Sequence, residues 1–282
     1  MDTECSFPFD IEREIFETTA VRYRKSIPTL LRVCHRVHTW VQPLLYSALH
    51  ISKPNDPILA VLRSKPASFL QNAVRHVFLL NDPDMKDVNQ EVLTICSGIV
   101  NLVIDREFDR DLLPILDTMH LRSLDLYIPP MGSLWAHSTL KHPLFFSITH
   151  LSFYQNHADG PEPSKWDNWS RLAALPALTH LCLSEDISSI FPEALKECRG
   201  LVLAVTLFWT RVEARSANAF VQELAITDAR FFVMVTPNAI TKEWQLGARG
   251  GDDFWVRAER FITRRRAGEI EKTCYFLDET DS

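Results

Sequence analysis

Six short segments of this chain repeat one apolar spacing, and that recurrence limits the folds open to it more than any other feature. Each segment is apolar at its first, fourth and sixth positions: Val74, Val77 and Leu79; Ile99, Leu102 and Ile104; Leu121, Leu124 and Leu126; Ile148, Leu151 and Phe153; Leu178, Leu181 and Leu183; and Val202, Val205 and Leu207. Their starts are spaced by 25, 22, 27, 30 and 24 residues, and a poorer seventh copy lies around Phe231 to Val235. The wording repeats as well, since Arg75-His76-Val77, Thr149-His150-Leu151 and Thr179-His180-Leu181 occupy equivalent places. The intervening stretches read as short helices with their own start and stop signals. Asp87 precedes Val88 to Cys96, and Gly98 follows as a cap; Ser188 or Ser189 precedes Phe191 to Cys198, with Gly200 beyond.

One strand and one helix every 22 to 30 residues define an α/β chain, and the period is that of an irregular leucine-rich-repeat solenoid. A doubly wound parallel sheet also alternates strand and helix. It would call for a longer period and glycine-rich turns at a ligand crevice, and this chain holds only 8 glycines in 282 residues. The repeats are expected over residues 53–235, behind a helical module at 1–52 and ahead of a capping segment at 236–282. The asparagine typical of position nine occurs only as Asn156, with Asp82, Glu107, Pro129 and Asp186 in other copies, and the insertion His157 to Pro163 lengthens one repeat.

The first fifty residues follow a different rule. Ile11, Ile15 and Phe16 lie along one helical face, and Ser26 with Pro28 marks a second helix start. From there Leu30, Leu31, Val33, Cys34, Val37 and Trp40 lay down an apolar stripe expected to end before Pro43. Such a unit is too short to bury all its apolar faces, so it packs on the first repeat, on another protein, or on both.

Phe7-Pro8-Phe9-Asp10-Ile11, then Ile15-Phe16, then Leu30 to Arg36 and Trp40 resemble a degenerate F-box. The whole chain is similar to the F-box-like/leucine-rich-repeat proteins expanded in mushroom-forming fungi. The resemblance implies a Skp1-type adaptor bound by the head, in the manner of substrate receptors of cullin-based ubiquitin ligases. It carries adaptor contact onto Phe7, Pro8, Ile11, Ile15, Phe16, Leu30, Val33 and Cys34. Phe7 departs from the family's usual leucine, and the stretch Ala20 to Lys25 is unusually basic and polar. The rival reading is a stand-alone scaffold whose head only caps the first repeat.

Alternation along each strand points positions three, five and seven away from the helices. This yields an expected target face containing His76, Phe78, Asp125, Tyr127, His150, Tyr154, His180 and Phe208, with Tyr127, Tyr154 and Phe208 as an aromatic column. Tyrosine is common at binding hot spots, so an unidentified protein target fits this face. Aromatic residues also favour strands whatever they touch.

Catalysis has little support. Neither G-x-G-x-x-G nor a Walker A match occurs, nor G-x-S-x-G or H-E-x-x-H, and an enzyme on a doubly wound sheet remains only as an alternative of another class. Cys34 with His38, and His150 with His180, could each offer two metal ligands, whereas a closed zinc site needs four. Asp252 is expected to cap a helix from Phe254 to Arg266, whose final arginines suit the helix dipole. A net charge of −6 supplies no general field for nucleic acid. The six cysteines form no C-x-x-C pair, Asp2 and Glu4 follow Met1 in place of an apolar leader, and no apolar run spans a bilayer. The expectation is therefore a cytoplasmic or nuclear chain without cofactor, metal or membrane contact, monomeric apart from its adaptor.

Overall fold

The backbone of successive copies is tied together by one recurring hydrogen-bond relay. Arg75 and His76 both donate N–H to the Ser47 carbonyl; Val100 and Asn101 donate to Arg75, Arg122 and Ser123 to Val100, Thr149 and His150 to Arg122, Thr179 and His180 to Thr149, and Val202 and Leu203 to Thr179. In every case the acceptor is the second position of the copy before. Repetition of sequence thus becomes repetition of strand pairing. In the computed structural model, residues 7–128, 132–155, 165–209, 217, 219–221 and 226–278 are described; Asn156, Pro129 and the insertion 157–163 lie outside them.

The relay builds a nine-stranded sheet: β1 (Ala48–Ile51), β2 (His76–Leu80), β3 (Asn101–Glu107), β4 (Ser123–Ile128), β5 (His150–Gln155), β6 (His180–Leu183), β7 (Leu203–Phe208), β8 (Phe231–Val235) and β9 (Phe276–Asp278). All neighbours are parallel, and their order in the sheet is their order in the chain. The protein is α/β, and its strand order never reverses as it would at the switch point of a doubly wound sheet.

The helices preceding the sheet are α1 (Phe9–Arg22), α2 (Ile27–Leu30) and α3 (His35–Tyr46). Between strands come α4 (Pro57–Arg63), α5 (Ala67–Ala73), α6 (Lys86–Ile95), α7 (Leu113–Leu116), α8 (Gly132–Thr139), α9 (Trp166–Trp169) and α10 (Phe191–Glu197), with short 3₁₀ turns among them. Two longer helices, α11 (Ile240–Ala248) and α12 (Phe254–Arg266), follow β8. The first, fourth and sixth positions of the first five copies all enter one continuous core, shared with Leu59, Leu70, Val92, Leu116, Trp169 and Ala194 of the inter-strand helices.

The sixth copy departs from its expected register. Leu201 and Ala204 join the main core, while Val205 and Leu207 face the opposite side and Val202 is exposed. A slip of one residue flips every side chain in a strand. Every residue of β7 is buried, so polar alternation cannot mark the register there. The ranges 1–52 and 236–282 each contribute a strand to the sheet, β1 and β9, which the repeat spacing did not indicate. The relay from Ser47 shows that Tyr46, Leu49 and Ile51 form a further copy ahead of the six, and all three meet the main core.

Local signals were displaced in three places. The stripe from Leu30 to Trp40 is broken at Leu31 to Cys34, and α3 then runs through Pro43. The residue capping α12 is Asp253, whose carboxylate accepts the Val256 N–H at 3.0 Å, in place of Asp252. Gly268 closes that helix at φ 79°. Gly98 is not a left-handed cap but a point of close approach: a Cβ there would lie 1.7 Å from the Gln71 carbonyl oxygen. Gly98→Ala is therefore expected to lower stability by about 1–3 kcal/mol through backbone displacement, measured by urea unfolding.

Candidate functional site

Two surfaces could carry function, the sheet face turned away from the inter-strand helices and the outer side of the head. On the sheet face the strand register sets side chains in rows. His76, Asn101, Ser123, His150 and His180 are successive partners; so are Phe78, Val103, Asp125, Ser152 and Cys182; and Tyr127 pairs with Tyr154.

This face is not open, and the expected target surface is corrected on two counts. First, α11 and α12 lie on it. Trp244 of α11 packs edge-on to Phe78 at 5.6 Å and joins a core with Val103 and Ala48. On α12, Trp255 meets the rings of His150 and His180 edge-on at 5.3 and 5.6 Å, and Phe261 stacks on Phe232 at 4.7 Å. Phe78, Asp125, Tyr154 and His180 are buried, and His76, Tyr127 and His150 half-buried. Second, Phe208 belongs to the opposite core because of the slip in β7; Trp209 takes its place beside Tyr154 at 5.4 Å, continuing the row from Tyr127. The segment expected to close the last repeat therefore covers the sheet face, while β9 alone extends the edge.

Polar contacts also tie these helices in place. Glu243 of α11 is fully buried and accepts from Thr236 at 2.7 Å, Asn238 at 2.6 Å and Arg257 of α12 at 3.0 Å. Arg265, one of the final arginines that suit the helix dipole, is buried and donates to the carbonyls of Cys274 at 2.7 Å and Phe231 at 3.0 Å.

Burial sets the protonation chemistry of the covered face. It pushes the Asp125 carboxyl up to about 7, against the opposing effect of the Ser152 hydroxyl. It pushes His76, His150 and His180 down to about 4, with Arg75 further disfavouring charge on His76 and the stacked His180 ring doing so on His150. Ligand atoms of His150, His180 and Glu259 lie within 4.8 Å of one another. The two imidazoles are stacked 4.0 Å apart with 7° between their planes. Parallel rings direct their nitrogen lone pairs side by side, whereas a tetrahedral ion requires convergence. The Nδ1 atoms are instead within 2.9 and 2.8 Å of the hydroxyls of Thr149 and Thr179, which explains the repeated Thr-His pair as a local side-chain contact.

The head has a small core of its own, with Ala20, Ile27, Val37 and Val41 buried and Phe16, Leu30, Leu31, Trp40 and Leu44 packed around them. Its outer side is apolar and open. Phe7 and Phe9 are each 64% exposed, Ile11 and Ile15 share one side of α1 at 40% and 46%, and Val33 is 53% exposed. Pro8 and Cys34 are exposed as well. Of the eight head residues carried over from the resemblance, Phe7, Pro8, Ile11, Ile15, Val33 and Cys34 are therefore accessible, and Phe16 and Leu30 serve the head's own core. Arg36 holds α3 against α1 through Glu12 at 2.7 Å and covers the Phe9 ring at 5.1 Å.

No protein-family model matches the chain, and no curated protein matches it. No helix among the described residues is long and apolar enough to cross a membrane.

Proposed function

We propose that this chain is a protein-interaction module: an F-box-like head that docks a Skp1-type adaptor, carried on a leucine-rich-repeat solenoid that presents a target for ubiquitination. The observation that carries the reading is the exposure of Phe7, Pro8, Ile11 and Ile15 on the head. A head serving only as a cap would turn those residues toward the sheet, since exposed apolar side chains gathered in one small module signal a missing partner. The monotonic parallel sheet with its repeating relay supports the solenoid half. A target would dock outside the sheet face, which α11 and α12 occupy. The scaffold reading keeps one supporting fact, the packing of α3 on α5 and β1, and the two roles are compatible in one head.

The test is co-purification of a Skp1-type adaptor with the full chain and with a Phe7→Ala/Ile11→Asp variant. Both side chains lie outside the head's core, so the variant should keep its circular dichroism and melting temperature. The expected result is a stoichiometric adaptor with the wild type and at least tenfold less with the variant. Absence of an adaptor from well-folded wild-type protein would leave the scaffold reading.

A further inference from the structure

A cavity of about 660 Å³ lies where the end of α1 meets α11. Among the described residues, five of the ten that line it are cations, Arg22, Arg24, Lys25, Lys242 and Arg249, and none is acidic. This is an unusual concentration in a chain whose net charge is −6. Arg13, Arg36, Arg63, Lys86, Arg230, Arg257, Arg260 and Arg264 all have carboxylate partners within 3.2 Å. Among the described residues none of the five cavity cations has one.

Arg24 is the least comfortable of them. Its guanidinium is half-buried and donates to the Leu44 carbonyl at 2.9 Å, which fixes its position. Burial holds its affinity for a proton below the usual arginine value, and the neighbouring charge acting in the same direction is another cation, Arg249. Helix dipoles do not balance the group. Arg22 lies in the last turn of α1 and Arg249 just after α11, and two helix C-termini supply about one negative charge between them against five positive.

We propose that this cavity binds a ligand carrying two or three phosphate groups, clamped between the head and the first helix of the C-terminal segment. A phosphate monoester carries about −1.5 to −2 near neutral pH, so two or three of them match five cations. Three of the five are arginines, whose planar fork meets phosphate oxygens in pairs. A singly charged carboxylate would leave most of the positive charge unbalanced. The inference does not rest on the adaptor reading, because it uses other residues.

Tripolyphosphate is the probe, titrated calorimetrically into the full chain at about 50 mM and 300 mM salt. Binding is expected with an affinity at least tenfold weaker at the higher salt, as solvent-exposed charges require, together with a rise in melting temperature. Lys242→Gln/Arg249→Gln should weaken binding at least tenfold, and both side chains are exposed, so folding is not at stake. Arg24→Gln should do the same, with the melting temperature of the free protein checked because of its bond to Leu44. Lys196→Gln/Arg199→Gln, exposed on the helix side of the sheet, should leave binding unchanged. A doubly phosphorylated peptide is then offered in competition. Displacement at similar concentration assigns the phosphates to a protein partner; failure to displace assigns them to a small soluble phosphate. Absence of binding at millimolar tripolyphosphate, or equal binding by the cavity variants, overturns the site.

Discussion

Alanine in place of Phe261 is expected to destabilise the whole chain by about 3–5 kcal/mol, the usual range for emptying a buried aromatic site. Phe261 is 6% exposed and stacks on Phe232 of β8 within a second core that also holds Tyr154, Cys182, Val205, Met234, Phe254 and Trp255. That core contains strand residues from four strands and helix residues from α12, so the helix and the sheet should unfold together. The measurement is urea unfolding followed by far-ultraviolet circular dichroism, with amide exchange of residues 254–266 as a second reading. One cooperative transition moved to lower urea, with those amides exchanging at the global rate, is the expected outcome. An early separate transition that leaves the sheet intact would show α12 to be a detachable cover, and would reopen the sheet face as a target surface.

The same packing explains what could and could not be read from the residues. Copies one to five were legible because polar residues alternate with the core positions: His76, Asn101, Ser123, His150 and His180 interrupt the apolar pattern at position three. Where both faces are covered that contrast vanishes, so Leu203 to Phe208 reads equally well in two registers. Trp244, Phe254, Trp255, Phe261 and Ile262 make the C-terminal segment too apolar for a tail, but the surface they meet is not legible in the sequence. One hint lay in the sheet itself, since Phe78, Val103 and Cys182 set apolar side chains in its middle row on either side of Asp125 and Ser152. Strand β1 was hidden behind a helix that continues through Pro43. The basic cavity was out of reach in principle, because residues 22–25 and 242–249 meet only through the tertiary fold.

Acid is expected to unfold this protein through three histidines of the covered sheet face, His76, His150 and His180. His76, His150 and His180 stay neutral in the folded chain down to about pH 4, while each takes up a proton near 6.5 once unfolded. A base whose folded value is depressed contributes stability that is complete above its unfolded value and is lost as pH falls from 6.5 towards 4. Asp125 works in the opposite sense. Raised from 3.8 to about 7, it is protonated in the folded state and ionised in the unfolded state through that interval, so acidification from pH 7 relieves part of its burial cost. Asp105 and Asp253, also raised by burial, act with Asp125 towards the lower end, and Asp228 and Glu91, held down by Arg230 and Arg63, act with the histidines there.

Between pH 6.5 and 5 the largest shifts set three histidines against Asp125, with Asp105 and Asp253 acting in the sense of Asp125. The unfolded chain then binds between one and two protons more than the folded chain, which corresponds to roughly 2 kcal/mol of stability lost per pH unit. The slope, read from urea midpoints at constant ionic strength, is insensitive to the packing changes a substitution also causes. Asp125→Asn removes the opposing group, so its acid slope should steepen by about half or more, with higher stability at pH 7.5. His150→Gln/His180→Gln leaves His76 against Asp125, and its slope should fall close to zero over the same interval. A double variant as steep as the wild type would mean that the stacked pair takes up protons as readily in the folded state as in the unfolded one, with Glu259 at 3.1 Å from His180 offsetting the cost of burial.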